Sequence, residues 1–360
     1  ATCAQRTCRG KTEEIAFALA AFDRRLLMAL FGNRKKKDSD SVPDLPILDL
    51  ALTLATLALF LGDGLALLYE SWDAFLELLL SLTVTAVAIF VCKACAVPLG
   101  RHLSTTASLE KPRNLRKFAD QSWQLVVHMG MTWYEWHILD EFGWQWWNDR
   151  ASHWSMPWQL AGTSGPTHLR RLFIVQLGIW FVTAFSHKFV EAKHKDYFVM
   201  YGHHVATLGL VTLSYFNGWT PIGCVVLFIH DSSDIIADTL KMVNYLGYDE
   251  TSGLYLAEAF FVINLVSWAI LRLWVFPALA IRSTLVEYPY VLPLVHPGNM
   301  CRVLLIVLAL MHLWWYYLFL RILYRLLAGQ GGHSAGAEEY EGSSDSEADD
   351  QSHKADNKAD

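Results

Sequence analysis

Residues 195–244 read KDYFVMYGHHVATLGLVTLSYFNGWTPIGCVVLFIHDSSDIIADTLKMVN, and they are the most informative part of the sequence. It contains two apolar segments, each near the ~20 residues that a helix needs to cross a bilayer. A short turn around Asn217, Gly218 and Pro221 separates them. Ionisable side chains at bilayer depth cost several kcal/mol each, so they usually mark a functional site. We therefore predict two neighbouring membrane helices with a functional site between them.

The polar residues of both segments follow helical spacing, about 100° per residue. On the first helix His203, Thr207 and Ser214 share a face, and His204 lies about a quarter turn away. The second helix carries a narrow polar stripe: Asp231, Asp234, Asp238, Lys241 and Tyr245. We expect the histidines and carboxylates to face a common interior. The alternative interpretation is that these groups only form hydrogen bonds between helices.

The order of these polar residues resembles the signature of the ceramide synthases, which are acyl-CoA-dependent N-acyltransferases of the TLC-domain superfamily. Lys117-Phe118 with Ser122-Trp123 resembles the start of the TLC domain, and residues 312–327 resemble its aromatic last span. The resemblance covers roughly Arg113 to the C-terminal tail. One departure is visible, because Asp238 stands where the family would have a glutamate.

The resemblance implies that the chain transfers a fatty acyl group from acyl-CoA to the amine of a sphingoid long-chain base, giving ceramide or dihydroceramide. It implies that His203, His204, Asp231 and Asp234 are catalytic, with a histidine as general base and an aspartate that orients it. An acyl-histidine intermediate is a second route. The other motif positions are candidate substrate contacts: Lys195, Asp196, Ser214, Tyr215, His230, Asp238, Lys241 and Asn244.

Composition independently indicates a membrane protein, because 53% of residues are hydrophobic and 18% are charged, against about 25% charged in soluble domains. We predict an all-α polytopic integral membrane bundle of about eight transmembrane helices, six of them forming a TLC domain over residues 113–328. Residues 47–100 would supply two further spans. The predicted spans are Ile47–Leu68, Phe75–Leu99, Ser122–Phe142, Leu172–Phe189, Phe198–Phe216, Pro221–Leu246, Leu254–Ile281 and Val303–Leu327.

Basic residues predict the topology. They concentrate before the first span, between the second and third spans, before the fifth span and at the end of the last. We expect all of these on the cytosolic side of the endoplasmic reticulum membrane, with both termini cytosolic. Three lysines before the fifth span, Lys188, Lys193 and Lys195, are candidates to meet the phosphates of CoA. Seven of the fifteen tryptophans lie between Trp133 and Trp158, which is typical of an interfacial belt on the lumenal side.

The two ends of the chain are polar. Residues 1–46 combine a basic linker with an amphipathic pattern from Thr12 to Phe31, which predicts a helix on the cytosolic membrane face. The chain begins at Ala1 without methionine, as a processed chain or a fragment would. Residues 329–360 form an acidic tail that we expect to be disordered. Its serines among carboxylates are candidate phosphorylation sites: Ser343, Ser344 and Ser346.

Metal chemistry has little support in the sequence. Integral-membrane di-iron oxygenases need several histidine boxes, whereas the only close pair among the fourteen histidines is His203-His204. Adjacent helical residues point about 100° apart, so this pair chelates one ion poorly. We therefore expect no bound metal and no resident cofactor, with acyl-CoA as co-substrate.

Other classes and partners follow from the same residues. A net charge of −6 without a basic stripe argues against nucleic-acid binding. The expected partners are the bilayer, both substrates, and a second copy or a small regulatory membrane subunit. Two alternatives stay open: a non-enzymatic TLC-type protein of the endoplasmic reticulum that binds cargo or lipid or assists translocation, and a metal-dependent lipid enzyme. A non-enzymatic protein has no need of a histidine pair together with an aspartate stripe.

Overall fold

The computed structural model describes residues 45–105, 107–110, 112–154, 165–190, 197–288 and 296–328. All regular secondary structure in these residues is helical, as the sequence predicts. The predicted N-terminal amphipathic helix, two of the substrate-contact candidates (Lys195 and Asp196) and the three tail serines lie outside the described residues.

The first two helices form an antiparallel pair, α1 (Pro46–Glu70) and α2 (Trp72–Leu103). Ser71 joins them in an extended conformation, and its Oγ accepts a hydrogen bond from the Ala74 N–H at 3.0 Å. This N-cap satisfies a backbone donor that the first turn of α2 leaves free. Both helices expose leucines along most of their length, and α2 also exposes valines, as helices that face lipid do.

The next four helices are α3 (Pro112–Glu141), α4 (Gly165–Phe189), α5 (Tyr197–Phe216) and α6 (Thr220–Leu246). The predicted turn between α5 and α6 is confirmed, with Gly218 at a φ of 73°. Glycine adopts this left-handed conformation without the penalty of a Cβ atom. Gly247 ends α6 in the same way, at a φ of 75°.

Two long helices complete the bundle. In α7 (Leu256–Glu287) the first part, Leu256–Trp268, is a regular α-helix. Most of the remainder is π-helical, in segments Ala269–Val275, Pro277–Ile281 and Ser283–Glu287. The last helix is α8 (Pro297–Leu327). π-Helical turns are rare and often occur at functional sites.

Within the described residues, six helices are long and apolar enough to cross a membrane: α1, α2, α4 from Pro166, α6, α7 and α8. The chain is therefore a multi-pass membrane protein. By length α3 and α5 also reach across a bilayer, but their composition is too polar to meet the same criterion. The prediction of eight spans stays a prediction for these two helices, which carry the histidines of the site described below.

The core lies around α6, which contacts α3, α4, α5 and α7. Buried side chains from all eight helices pack there, including Phe173, Phe181, Leu208, Val225 and Phe276. The first two helices lie at the edge of this core, where α1 packs against α5 and α2 packs against α4. Gly178 permits the second contact, because a Cβ atom at this position would lie 2.1 Å from the Ser81 Oγ.

Candidate active site

A cavity of about 210 Å³ is enclosed by the six helices α3 to α8, and most of the predicted site residues line it. The full predicted stripe of α6 lines it, together with both adjacent histidines of α5. The ionisable residues on its wall are Lys117, Asp120, His128, His187, His203, His204, Asp231, Asp234, Asp238, Lys241, Tyr245 and Arg272. The expectation of a common interior for the histidines and carboxylates is confirmed.

The two adjacent histidines are held by aromatic rings. His203 lies edge-on to Trp180 and Trp315, with ring centroids 5.8 and 5.6 Å away. His204 contacts Trp180 and His187, at 5.5 and 5.2 Å. The buried Nδ1 atoms of both histidines have no hydrogen-bond partner among the described residues. Packing therefore orients these rings, and the aspartate that we expected at an imidazole nitrogen is engaged elsewhere.

Asp234 forms a buried ion pair with Arg272, whose Nη2 lies 2.5 Å from Oδ1. The Arg272 guanidinium is 2% exposed and also donates to the Ser233 Oγ at 2.6 Å and the His312 Nε2 at 3.0 Å. It stacks over Trp268 at 4.7 Å. A buried cation of this kind requires a paired anion and several acceptors, and the site supplies both.

Asp231 belongs to a second polar group. The Gln176 Nε2 donates to the Asp231 Oδ2 at 3.1 Å and to the Glu135 Oε1 at 2.8 Å. Glu135 is fully buried on α3, and its Oε2 has no partner among the described residues. One side-chain amide therefore joins α3, α4 and α6 at the level of the site.

Asp238 holds a third group. It accepts hydrogen bonds from the Gln121 Nε2 and from the His128 Nδ1, the latter at 2.6 Å. Both donors lie on α3. Asp238 is the position at which the ceramide synthase pattern would have a glutamate. In this chain its carboxylate is paired with the His128 side chain.

A second, apolar chamber of about 30 Å³ adjoins the polar cavity. Trp180, His203 and Asp234 line both spaces, so they form the boundary between them. Thr207 and Ser214 line the apolar side, as their predicted shared face with His203 requires. Most of the other walls are aliphatic, from Leu210, Ile222, Leu227, Leu305 and Leu308.

The remaining predicted residues are dispersed. His230 borders the apolar chamber and contacts His312, with 3.2 Å between their Nε2 atoms. Tyr215 points elsewhere and donates to Glu70 at 3.0 Å. Asn244 lies in the last turn of α6 and lines neither space. Lys188 forms an ion pair with Asp49 of α1, which weakens its candidacy as a phosphate contact.

Sequence reasoning missed several residues that the fold brings to the site: Gln121, His128, Glu135, Gln176, Arg272 and His312. One signal was available, since Arg272 interrupts an apolar span and an intramembrane ionisable residue indicates function by default. In the sequence, His128 and Glu135 stand out only as polar residues that interrupt the predicted span Ser122–Phe142.

Between α3 and α4, the tryptophan-rich segment forms a packed cap, at least as far as residue 154. Trp146 is 1% exposed, and His153 is fully buried. The two ring nitrogens of His153 contact the Ser283 Oγ at 2.9 Å and the Trp146 carbonyl oxygen at 2.5 Å. Burial lowers the pKa of His153 below its usual value, although its hydrogen bond to the Trp146 carbonyl opposes the shift. The neutral imidazole therefore anchors this segment to the end of α7.

Metal-ligand geometry is not found in the described part of the chain, where no three His, Cys, Asp or Glu side chains are grouped to hold an ion. The ring centroids of His203 and His204 are 6.0 Å apart, and the Nε2 of His312 accepts a hydrogen bond from Arg272.

Comparison with known proteins identifies the family. Residues 117–321 match the family TRAM_LAG1_CLN8, described as the TLC domain. Ceramide synthase 5 of Homo sapiens is 29% identical over 218 residues, which are 61% of this chain and 53% of the human protein. Ceramide synthase 1 LOH3 of Arabidopsis thaliana is 29% identical over 233 residues, which are 62% of this chain and 73% of the plant protein. Ceramide synthase LOH2 of the same plant is 34% identical over 146 residues, covering 39% of this chain and 48% of that protein.

The chain thus spans about half the length of the human relative and a larger share of the first plant one. The family match covers more than half of this chain, and it begins and ends within the helices that enclose the cavity. The chain belongs to the TLC-domain family and is related to proteins named ceramide synthases.

Proposed function

We propose that this protein is a ceramide synthase that transfers a fatty acyl group from acyl-CoA to the amine of a sphingoid long-chain base. The observation that carries the proposal is the position of His203. It stands at the boundary between a polar cavity and an apolar chamber, beside the Asp234–Arg272 ion pair. The relatives named ceramide synthases support the proposal.

The two spaces differ in polarity as the two halves of a fatty acyl thioester do. The apolar chamber has the lining to receive the acyl chain but, at about 30 Å³, must widen to admit it, and the thioester carbon is proposed to lie at the boundary beside His203. A neutral imidazole has a ring nitrogen with a free lone pair, so it can accept the proton that leaves the nitrogen as the amide forms and return it to the departing thiolate. The buried Arg272 offers positive charge near the carbonyl oxygen, where negative charge develops in the transition state.

The polar cavity is the proposed location of the pantetheine arm and the amine substrate. Lys117 and Lys241 line it with Tyr245 and are better candidates for CoA contacts than Lys188. Lys193 and Lys195 stay candidates from the sequence alone. We further propose that this end faces the cytosol in the endoplasmic reticulum membrane, where acyl-CoA is available, and that no metal takes part.

A microsomal assay tests the proposal. The full chain is expressed in cells lacking their own ceramide synthases, and microsomes receive sphinganine with acyl-CoAs of 14 to 26 carbons in turn. We expect an N-acyl product that depends on the expressed chain and on both substrates. The alternative of a non-enzymatic TLC protein predicts no product with any chain length, in membranes where the protein is present and correctly inserted.

A further inference from the structure

A second histidine in the polar cavity has the geometry of an oriented base. His128 lies on α3 and Asp238 on α6, with 2.6 Å between the His128 Nδ1 and the Asp238 Oδ2. The two side chains are 15% and 5% exposed. The Gln121 amide donates to the other oxygen of Asp238 and so fixes the carboxylate against the ring.

This arrangement selects one tautomer. An ionised carboxylate only accepts hydrogen bonds, so the Nδ1 of His128 carries a hydrogen, and in the neutral form of the ring the Nε2 then has the lone pair. The ring lines the cavity, and no described residue bonds to the Nε2. The α5 histidines differ, because no carboxylate meets the buried Nδ1 atom of His203 or His204.

The amine substrate creates a need for such a group. An alkyl amine titrates near ~10.4 in water, so it enters as an ammonium that has no lone pair for attack. Besides the proton lost as the amide forms, a first proton must leave before the C–N bond forms. A single imidazole at His203 would have to accept both.

We propose that His128 accepts the first proton from the ammonium of the long-chain base, with Asp238 balancing the resulting imidazolium. This inference rests on the proposed acyl transfer and divides its proton transfers between two histidines.

The steps balance without a further reactant. The ammonium gives one proton to the His128 Nε2 and becomes a neutral amine. Its nitrogen bonds to the acyl carbon, the C–S bond breaks, and the second proton passes through His203 to the thiolate to give CoA–SH. His128 then releases its proton to water in the cavity and regains its starting form.

Other charged groups face the same space from each neighbouring helix. They are Lys117 and Asp120 of α3, His187 of α4, His203 and His204 of α5, Asp231, Asp234, Lys241 and Tyr245 of α6, and Arg272 of α7. The pH profile of the wild-type chain therefore combines several titrations. A ratio of variant to wild type at each pH removes the contributions that the two share.

The test compares His128→Gln with the wild-type chain, using full-length protein in microsomes from pH 6.5 to 9. His137→Gln is a matched control, because His137 lies on the same helix but is exposed and stacks on Trp133. We expect His128→Gln to lower kcat at least about tenfold at pH 7, with the KM for acyl-CoA unchanged. The deficit should shrink as pH rises, by up to about tenfold per unit, because free amine becomes available without a base. The control should match wild type throughout.

The pH trend separates a chemical role from a structural one. Each profile comes from one preparation, so a smaller folded fraction lowers every point equally and leaves the trend intact. Asp238→Asn should reproduce the trend through loss of the orienting carboxylate. A deficit that is constant with pH, or no deficit, overturns the role of His128. A wild-type chain that forms no amide at any pH overturns the proposed function as well.

Discussion

Arg272 sets the charge balance of the buried site. Its guanidinium forms an ion pair with Asp234 and donates hydrogen bonds to Ser233 and His312. Burying an arginine is costly unless its charge is paired and its donors are satisfied. The proposed acyl transfer accounts for this residue in an apolar span, because it requires positive charge near His203.

We predict that Arg272→Gln destabilises the protein by about 1–3 kcal/mol, because the partly buried Asp234 carboxylate is left without its cation. The double variant Arg272→Gln with Asp234→Asn should recover much of this loss, since no unpaired charge remains. Thermal unfolding of purified protein in detergent measures both effects. Arg282→Gln is the control, because Arg282 lies on the same helix and is exposed. Equal melting temperatures for Arg272→Gln and Arg282→Gln would contradict this account.

Local sequence predicted half of the site at this scale. The stripe from Asp231 to Tyr245 follows from helical spacing within one segment, and the structure keeps it on one wall. The partners of these residues could not be predicted, because Gln121, His128 and Arg272 lie on other helices. Which helices meet is decided by the packing of the whole bundle, and periodicity within a single helix carries no information about it.

At the scale of elements, α3 is the helix that sequence described least well. In the sequence, His128, Glu135, His137 and Asp140 interrupt the apolar pattern of this segment, which makes Ser122–Phe142 the weakest of the eight predicted spans. In the structure His128 and Glu135 face the interior. His128 contacts Asp238 of α6 directly. Glu135 accepts a hydrogen bond from Gln176 of α4, which also donates to Asp231 of α6. Two of the residues that interrupt the apolar pattern therefore attach the helix to the site. The sequence predicts that the tryptophan-rich segment lies at the membrane interface. In the structure, Trp146 and His153 of this segment are buried in a packed cap.

The cap should loosen in acid. The pKa of His153 is lowered by burial, so the folded state holds the neutral ring while the unfolded chain takes up a proton below about pH 6.5. Its stabilisation is complete above that pH and is lost as the pH falls, by at most about 1.4 kcal/mol per unit. Melting temperatures between pH 5 and 7.5 should rise with pH, and His153→Gln should flatten the curve. An unchanged slope in the variant would assign the effect to other groups.

Contact between α2 and α4 depends on Gly178. An alanine there would place its Cβ 2.1 Å from the Ser81 Oγ and 3.2 Å from the backbone N of Leu82, so the helices must separate. We predict that Gly178→Ala costs about 1–3 kcal/mol, as overpacking does. Gly62→Ala is the matched control in α1, where a Cβ meets no atom within 4 Å. The control should be neutral or slightly stabilising in thermal unfolding, and a similar result for Gly178→Ala would show that the helices are not closely packed.

For the whole molecule, composition predicts the fold class, and the distribution of basic residues predicts the orientation in the membrane. Six helices satisfy the requirements for a span, and α3 and α5 turn their polar faces to the cavity between them. An apolar chamber and a polar cavity meet at His203 inside this bundle. Such an interior suits a reaction between two long-chain lipids and a soluble thiol carrier.

The orientation of the bundle can be tested with glycosylation acceptors. Basic loops predict that the tail faces the cytosol and that the segment at Trp147 faces the lumen. An Asn-x-Thr acceptor inserted beside Trp147 should be glycosylated in cells, and one placed in the tail should stay unmodified. The reverse pattern would invert the bundle and move the proposed CoA opening to the lumen.

The central claim is that acyl transfer takes place at His203 and His204, and amide formation by alanine variants tests it most directly. His203→Ala and His204→Ala are each compared with wild type at equal amounts of folded protein, using sphinganine and the best acyl-CoA from the microsomal panel. We predict that each change lowers product formation at least about a hundredfold, roughly 2.7 kcal/mol of transition-state stabilisation. Near-normal product formation in both variants would contradict the account, because the chemistry would then lie outside the cavity that these histidines line.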